Sequence, residues 1–196
     1  MTSNIKNVCV FASSSDNVDK VYFQAAQELG VALAKAEYDV VYGGSRRGLM
    51  YACAGAAKDN GSKIYGVMPE KLADMGYTNP EDCEKFYITK GMRERKALLD
   101  EISEAVIAIA GGYGTLEEIS EMIVQKQLGY NNKPIVILNT NNFYSSLIQF
   151  FDDTINQKFA HADSRELYFV ASTPKEALDY IKTYVPKAFS EKYVRK

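Results

Sequence analysis

An unbroken apolar run, Ala105-Val-Ile-Ala-Ile-Ala110, leads straight into Gly111-Gly-Tyr-Gly-Thr-Leu-Glu-Glu118, and an amphipathic helical pattern leads out. A strand buried on both faces reads as such a run, and parallel sheets covered by helices bury strands in that way. Gly111, Gly112 and Gly114 let the backbone turn sharply and come close to a ligand, because no Cβ intervenes. Thr115 and Glu118 stand at capping-box spacing, which predicts a helix starting at Thr115. Strand, glycine turn and helix start together aim amide N–H groups and a positive helix end at one place. That arrangement suits a phosphate.

The same unit recurs along the chain. Strand-like runs at 8–11, 39–42, 63–68, 86–89, 134–138 and 167–170 alternate with helical patterns over 18–35, 48–60, 92–103, 143–157 and 174–184. Such alternation predicts an α/β fold: a doubly wound, mostly parallel sheet with helices on both faces. A length of 196 residues fits one domain, 1–196, with 186–196 expected to be a frayed tail. Residues 69–84 show no period and are expected to form a loop or flap.

A formal net charge of −2 gives no reason to expect nucleic acid or an anionic membrane as partner. Cys9, Cys53 and Cys83 are scattered, without metal-ligand spacing, as reduced thiols would be. No signal-peptide pattern and no stretch near the ~20 apolar residues of a membrane span are present, so a cytoplasmic protein is expected.

A doubly wound sheet binds ligands at the carboxyl ends of its strands. Three such ends carry small or hydroxyl residues: Ser13-Ser14-Ser15, the stretch Gly43-Gly44-Ser45-Arg46-Arg47-Gly48, and the octet. None has Walker A or G-x-G-x-x-G spacing, which removes the usual support for ATPase or dehydrogenase chemistry. Glu118 falls in the first turn of the predicted helix, either facing a ligand held by the loop or completing a cap with Thr115. Glu121 lines the same stripe, and Glu117 sits where a helix N-terminus favours negative charge. Arg95 and Lys96 begin a helix, where a positive pair is unfavourable and calls for an anion. Arg46 and Arg47 are a loop surface or a phosphate clamp, and His161, the single histidine, stands in a polar loop. No histidine triad or metal site can be assembled from these residues.

The octet at 111–118, Tyr42-Gly-Gly followed by Gly48-Leu-Met50, and Arg95-Lys96 resemble the LOG ("Lonely Guy") family, many of whose members were once labelled lysine decarboxylases. The family patterns are G-G-G-x-x-G-L-M and P-G-G-x-G-T-x-x-E. The resemblance implies a Rossmann-like fold, a homodimer, and hydrolysis of the N-glycosidic bond of adenine-type nucleoside 5′-monophosphates to free base and ribose 5-phosphate, with no cofactor. By motif match Arg95 and Glu118 are the implied catalytic pair. Ser14, Gly44, Lys96, Gly111, Gly112, Tyr113, Gly114, Thr115, Glu117 and Glu121 are the expected substrate-binding set. The chain departs from the patterns at Ser45 and Ala110, and at Ser13 and Tyr51, where glycine is usual. Molybdenum-cofactor carriers share the family fold, so a non-catalytic carrier is the alternative reading. Pyridoxal-dependent decarboxylation has no recognisable lysine constellation to support it.

Overall fold

The computed structural model describes residues 5–187. Among the described residues fourteen strands and α-helices alternate in type: β1 (Asn7–Phe11), α1 (Lys20–Lys35), β2 (Asp39–Tyr42), α2 (Gly48–Asp59), β3 (Ile64–Pro69), α3 (Glu70–Ala73), β4 (Lys85–Thr89), α4 (Met92–Glu101), β5 (Ala105–Ala108), α5 (Tyr113–Gln127), β6 (Ile135–Leu138), α6 (Ser145–Asn156), β7 (Phe169–Ala171) and α7 (Pro174–Thr183). The strands form one sheet in the order β4-β3-β2-β1-β5-β6-β7, and every pairing is parallel. The fold is the doubly wound, Rossmann-like α/β arrangement that the alternation predicts. The order reverses between β1 and β5, so their carboxyl ends part and leave a crevice.

Strand side chains divide by parity between two cores. Val8, Val10, Val40, Tyr42, Ala105 and Ile107 pack with Leu29, Leu33, Cys53 and Ile181 of α1, α2 and α7. Cys9, Phe11, Val41, Val106 and Ala108 pack with Leu99, Ile119 and Met122 of α4 and α5, and with Tyr144 before α6. The central strands are buried on both faces, which is why their sequences run apolar without a break.

Three expectations need correction. Helix α5 starts at Tyr113 with Gly112 as its N-cap, and no side chain caps it, so the Thr115–Glu118 capping box does not form. The aperiodic segment 69–84 contains the four-residue helix α3 and a 3-10 turn at Pro80–Asp82. The last strand lies at Phe169–Ala171, where it pairs with Val136–Leu138 of β6. Residues 188–196 of the expected tail lie outside the described residues.

Candidate active site

The crevice at the carboxyl ends of β1, β2, β3 and β5 is a cavity of about 540 Å³. One wall is the start of α5, from Gly112 to Thr115. The first amides of a helix have no intrahelical acceptor, and at Gly112 and Gly114 no neighbouring atom crowds the space a Cβ would take. The first turn of α5 carries no acidic side chain. Elsewhere carboxylates occupy this role. Asp16 accepts from the Gly48 amide at the start of α2 at 2.8 Å, and Glu94 accepts from the Lys90 amide before α4 at 2.9 Å. The α5 terminus is therefore left with its positive end facing the cavity, and Ser13, Ser14 and Ser15 line the cavity beside it.

Arg95 and Glu118 face each other on the cavity wall. Arg95 Nη1 donates to Glu118 Oε1 at 2.8 Å, with the two side chains 7% and 4% exposed. Arg95 Nε donates to the Val67 carbonyl at 3.1 Å, which fixes the plane of the guanidinium. Gly43 makes room for it, since a Cβ there would overlap Arg95 Nη2 and crowd the Met50 sulfur. Burial pushes the Glu118 carboxyl above the usual range, and the charge and hydrogen bond of Arg95 oppose that shift. A carboxylate held in this way is suited to taking up or releasing a proton. The remaining lining is largely apolar: Met50, Met68, Leu72, Tyr77 and Met92.

Of the residues expected from the sequence, the fold brings Ser14, Arg95, Gly112, Tyr113, Gly114, Thr115 and Glu118 to this cavity. Lys96, Glu117, Glu121, Gly44 and Gly111 are not on its lining. Lys96 bridges α4 to α5 through ion pairs with Glu117 and Glu121, so its charge is answered by protein carboxylates. Gly44 has φ +71°, and a Cβ would press on the Phe86 ring and the Val67 amide. A Cβ on Gly111 would overlap the Thr115 hydroxyl. Both glycines therefore shape the walls from behind. Arg46 pairs with Glu81, while Arg47 pairs with Asp16 and reaches the lining. His161 is half exposed beside Asp163, in the 3-10 turn 162–166.

Met68, at the end of β3, could have been found from the strand-end rule. Leu72 and Tyr77 give no such signal, because they sit in the segment without a period. Among the described residues no group of three or more histidine, cysteine, aspartate or glutamate side chains could hold a metal. No helix among them is long and apolar enough to cross a membrane.

Residues 50–181 match the family profile described as "Possible lysine decarboxylase". A rice protein named "Probable cytokinin riboside 5′-monophosphate phosphoribohydrolase LOGL6" is 37% identical over 187 residues, 95% of this chain and 74% of that one. The chain belongs to the LOG family. The Arabidopsis thaliana "Cytokinin riboside 5′-monophosphate phosphoribohydrolase LOG3" is 36% identical over 184 residues, 94% of this chain and 85% of its own. Among solved structures, the molybdenum cofactor binding protein of Rippkaea orientalis matches with a TM-score of 0.70 at 21% identity, covering 92% of this chain and 98% of that one. The molybdenum cofactor carrier protein of Chlamydomonas reinhardtii matches with a TM-score of 0.70 at 22% identity, covering 91% and 97%. At those identities the likeness speaks for the fold alone.

Proposed function

We propose that the protein hydrolyses the N-glycosidic bond of adenine-type nucleoside 5′-monophosphates, AMP or a cytokinin riboside 5′-monophosphate, to free base and ribose 5-phosphate. The observation that carries this reading is the buried Arg95–Glu118 pair on the lining of a cavity that the uncapped start of α5 also lines. The names of the LOG relatives support the reaction class. A cofactor-carrier role has only the shared fold behind it.

The chemistry follows from the charges. The 5′-phosphate takes the amides of Tyr113, Gly114 and Thr115 and the α5 dipole, and so anchors the ribose. Breaking the ribosyl C–N bond develops positive charge at C1′ and its ring oxygen, as glycoside cleavage does. Glu118 stabilises that charge and orients a water. The water oxygen bonds to C1′, the C–N electron pair leaves with the purine, and the water proton passes through Glu118 towards the departing base. Arg95 holds Glu118 in register, and its charge and hydrogen bond favour the ionised carboxylate that burial disfavours. Lys96, Glu117 and Glu121 tie α4 to α5 and keep the two catalytic groups together.

A homodimer in the cytoplasm belongs to the same proposal. Val124 of α5 and Leu128, the residue that caps its C-terminus, are each 49% exposed and form apolar surface that a second copy would cover. Sedimentation of the purified chain checks it.

The reaction is tested by incubating the protein with AMP and isopentenyladenosine 5′-monophosphate and separating the products by chromatography, with the ribosides as controls. Base release from the monophosphates alone is the expected result. Binding of both nucleotides without base release would refute the hydrolase reading.

A further inference from the structure

Once the phosphate is assigned to α5 and the reacting carbon to Arg95 and Glu118, the apolar lining of Met50, Met68, Leu72, Tyr77 and Met92 is left for the base. Four of these residues are flexible side chains. Tyr77 is the rigid one, yet it belongs to the segment between β3 and β4 and is 43% exposed. Packing alone does not fix such a ring.

Its neighbours do. The Arg46 amide donates to the Tyr77 carbonyl at 2.9 Å, and Ser45 and Thr78 form an antiparallel bridge, so the backbone is pinned to the end of β2. The Arg47 guanidinium lies over the Tyr77 ring, 5.0 Å from its centroid. Arg47 is itself oriented, because its Nε donates to Asp16 Oδ2 at 2.8 Å. The other Asp16 oxygen accepts from the Gly48 amide at 2.8 Å, which locks the carboxylate. The loop after β1, the start of α2 and the segment before β4 thus meet in one chain of contacts, Asp16 to Arg47 to Tyr77.

We propose that Tyr77 is the specificity-determining wall of the base compartment and that Arg47, oriented by Asp16, is the positioning residue that sets it. The inference rests on the nucleotide reading above. With the ring held, the compartment is closed on that side. With the ring removed or loosened, it gains room for a larger substituent on the purine.

The test uses Tyr77→Ala, Arg47→Ala and Arg47→Lys in the full chain, with kcat and KM measured for AMP and for isopentenyladenosine 5′-monophosphate. The readout is the ratio of kcat/KM for the prenylated nucleotide to that for AMP. Tyr77→Ala should raise it about 10-fold, the scale on which a pocket wall discriminates between substrates. Arg47→Ala should raise it about 3-fold, through KM, as loss of an exposed cation–π contact implies. Arg47→Lys keeps a cation over the ring and should bring the ratio back to within about twofold of wild type. An unmoved ratio in Tyr77→Ala, or an Arg47→Ala loss equal for both nucleotides, overturns the proposal. If the wild-type protein releases no base, the hydrolase reading fails by itself. Calorimetric Kd values for the same two nucleotides then give the ratio, and the same shifts are required.

Discussion

Replacing Gly43 by alanine should damage the site more than its single added methyl group suggests. The backbone at Gly43 lies outside the left-handed region, so alanine meets no strain there. The collision is with a side chain: the new Cβ would overlap Arg95 Nη2 and crowd the Met50 sulfur. Arg95 cannot slide aside freely, because Val67 and Glu118 hold two of its nitrogens at 3.1 and 2.8 Å. Losing the charged hydrogen bond costs about 1.5–3 kcal/mol, and forcing a methyl group into a packed wall about 1–3 kcal/mol. Taken together, and allowing for partial relaxation, about 3 kcal/mol is expected. For a chain of this size that lowers Tm by about 6–12 °C. Displacing Arg95 by about 1 Å should reduce base release about 100-fold. Thermal unfolding followed by circular dichroism and chromatographic base release measure the two effects. A double-mutant cycle isolates the cause. In an Arg95→Ala background the methyl group enters vacated space, so the two substitutions should show a coupling of about 2 kcal/mol. A Gly43→Ala protein that melts and turns over like wild type, or a cycle that is additive, refutes the reasoning.

Glu118→Gln keeps the shape of the pair and removes the charge. Base release should fall about 10²- to 10⁴-fold with an unchanged far-ultraviolet spectrum, and retained turnover would remove Glu118 from the mechanism. Asn79 is fully buried and accepts from the Tyr42 hydroxyl at 2.8 Å. Asn79→Ala should lower the unfolding free energy in urea by about 1–3 kcal/mol, and adding Tyr42→Phe should recover part of it, because it removes a hydroxyl left with only the Cys83 sulfur, 3.6 Å away. Burial lowers Lys126 to about 8 from an ordinary 10.5. The folded state then binds fewer protons than the unfolded one between those values, so its penalty is full below about pH 8 and fades as pH rises. The Tm of wild type should therefore rise relative to Lys126→Met between pH 7 and pH 10, and a constant difference would contradict the assignment.

The strands were legible because burial on both faces leaves an unmistakable mark. The run Asp39-Val-Val-Tyr42 coincides with β2, while the run Ala105–Ala110 contains β5 at Ala105–Ala108 and continues two residues past its end. At the start of α5 the same letters serve two arrangements. Thr115 and Glu118 are spaced for a capping box, yet Thr115 folds under Gly111 and Glu118 turns to Arg95, which lies 23 positions earlier in the chain. Local spacing carries no information about a partner that distant. The ion pairs of Lys96, which lies off the cavity lining, are hidden from local spacing for the same reason, since their carboxylates come from the next helix. The segment 69–84 is held by single long-range ties: Asn79 to Tyr42, Asp82 to Tyr51 and Lys58, and Glu81 to Arg46. Ties of that kind impose no period.

The strand order also sets when the site can exist. Val8 of β1 pairs with Asp39's neighbour Val40 on one side, but with Ala105 on the other. A chain leaving the ribosome can lay β1 to β3 side by side before β5 emerges, and until then β1 is an exposed edge with no crevice beside it. Closing that distant pairing is the slow part of such a topology. The pocket is thus a late product of folding, and pulse-labelled hydrogen exchange should find the β5 amides protected after those of β2 and β3.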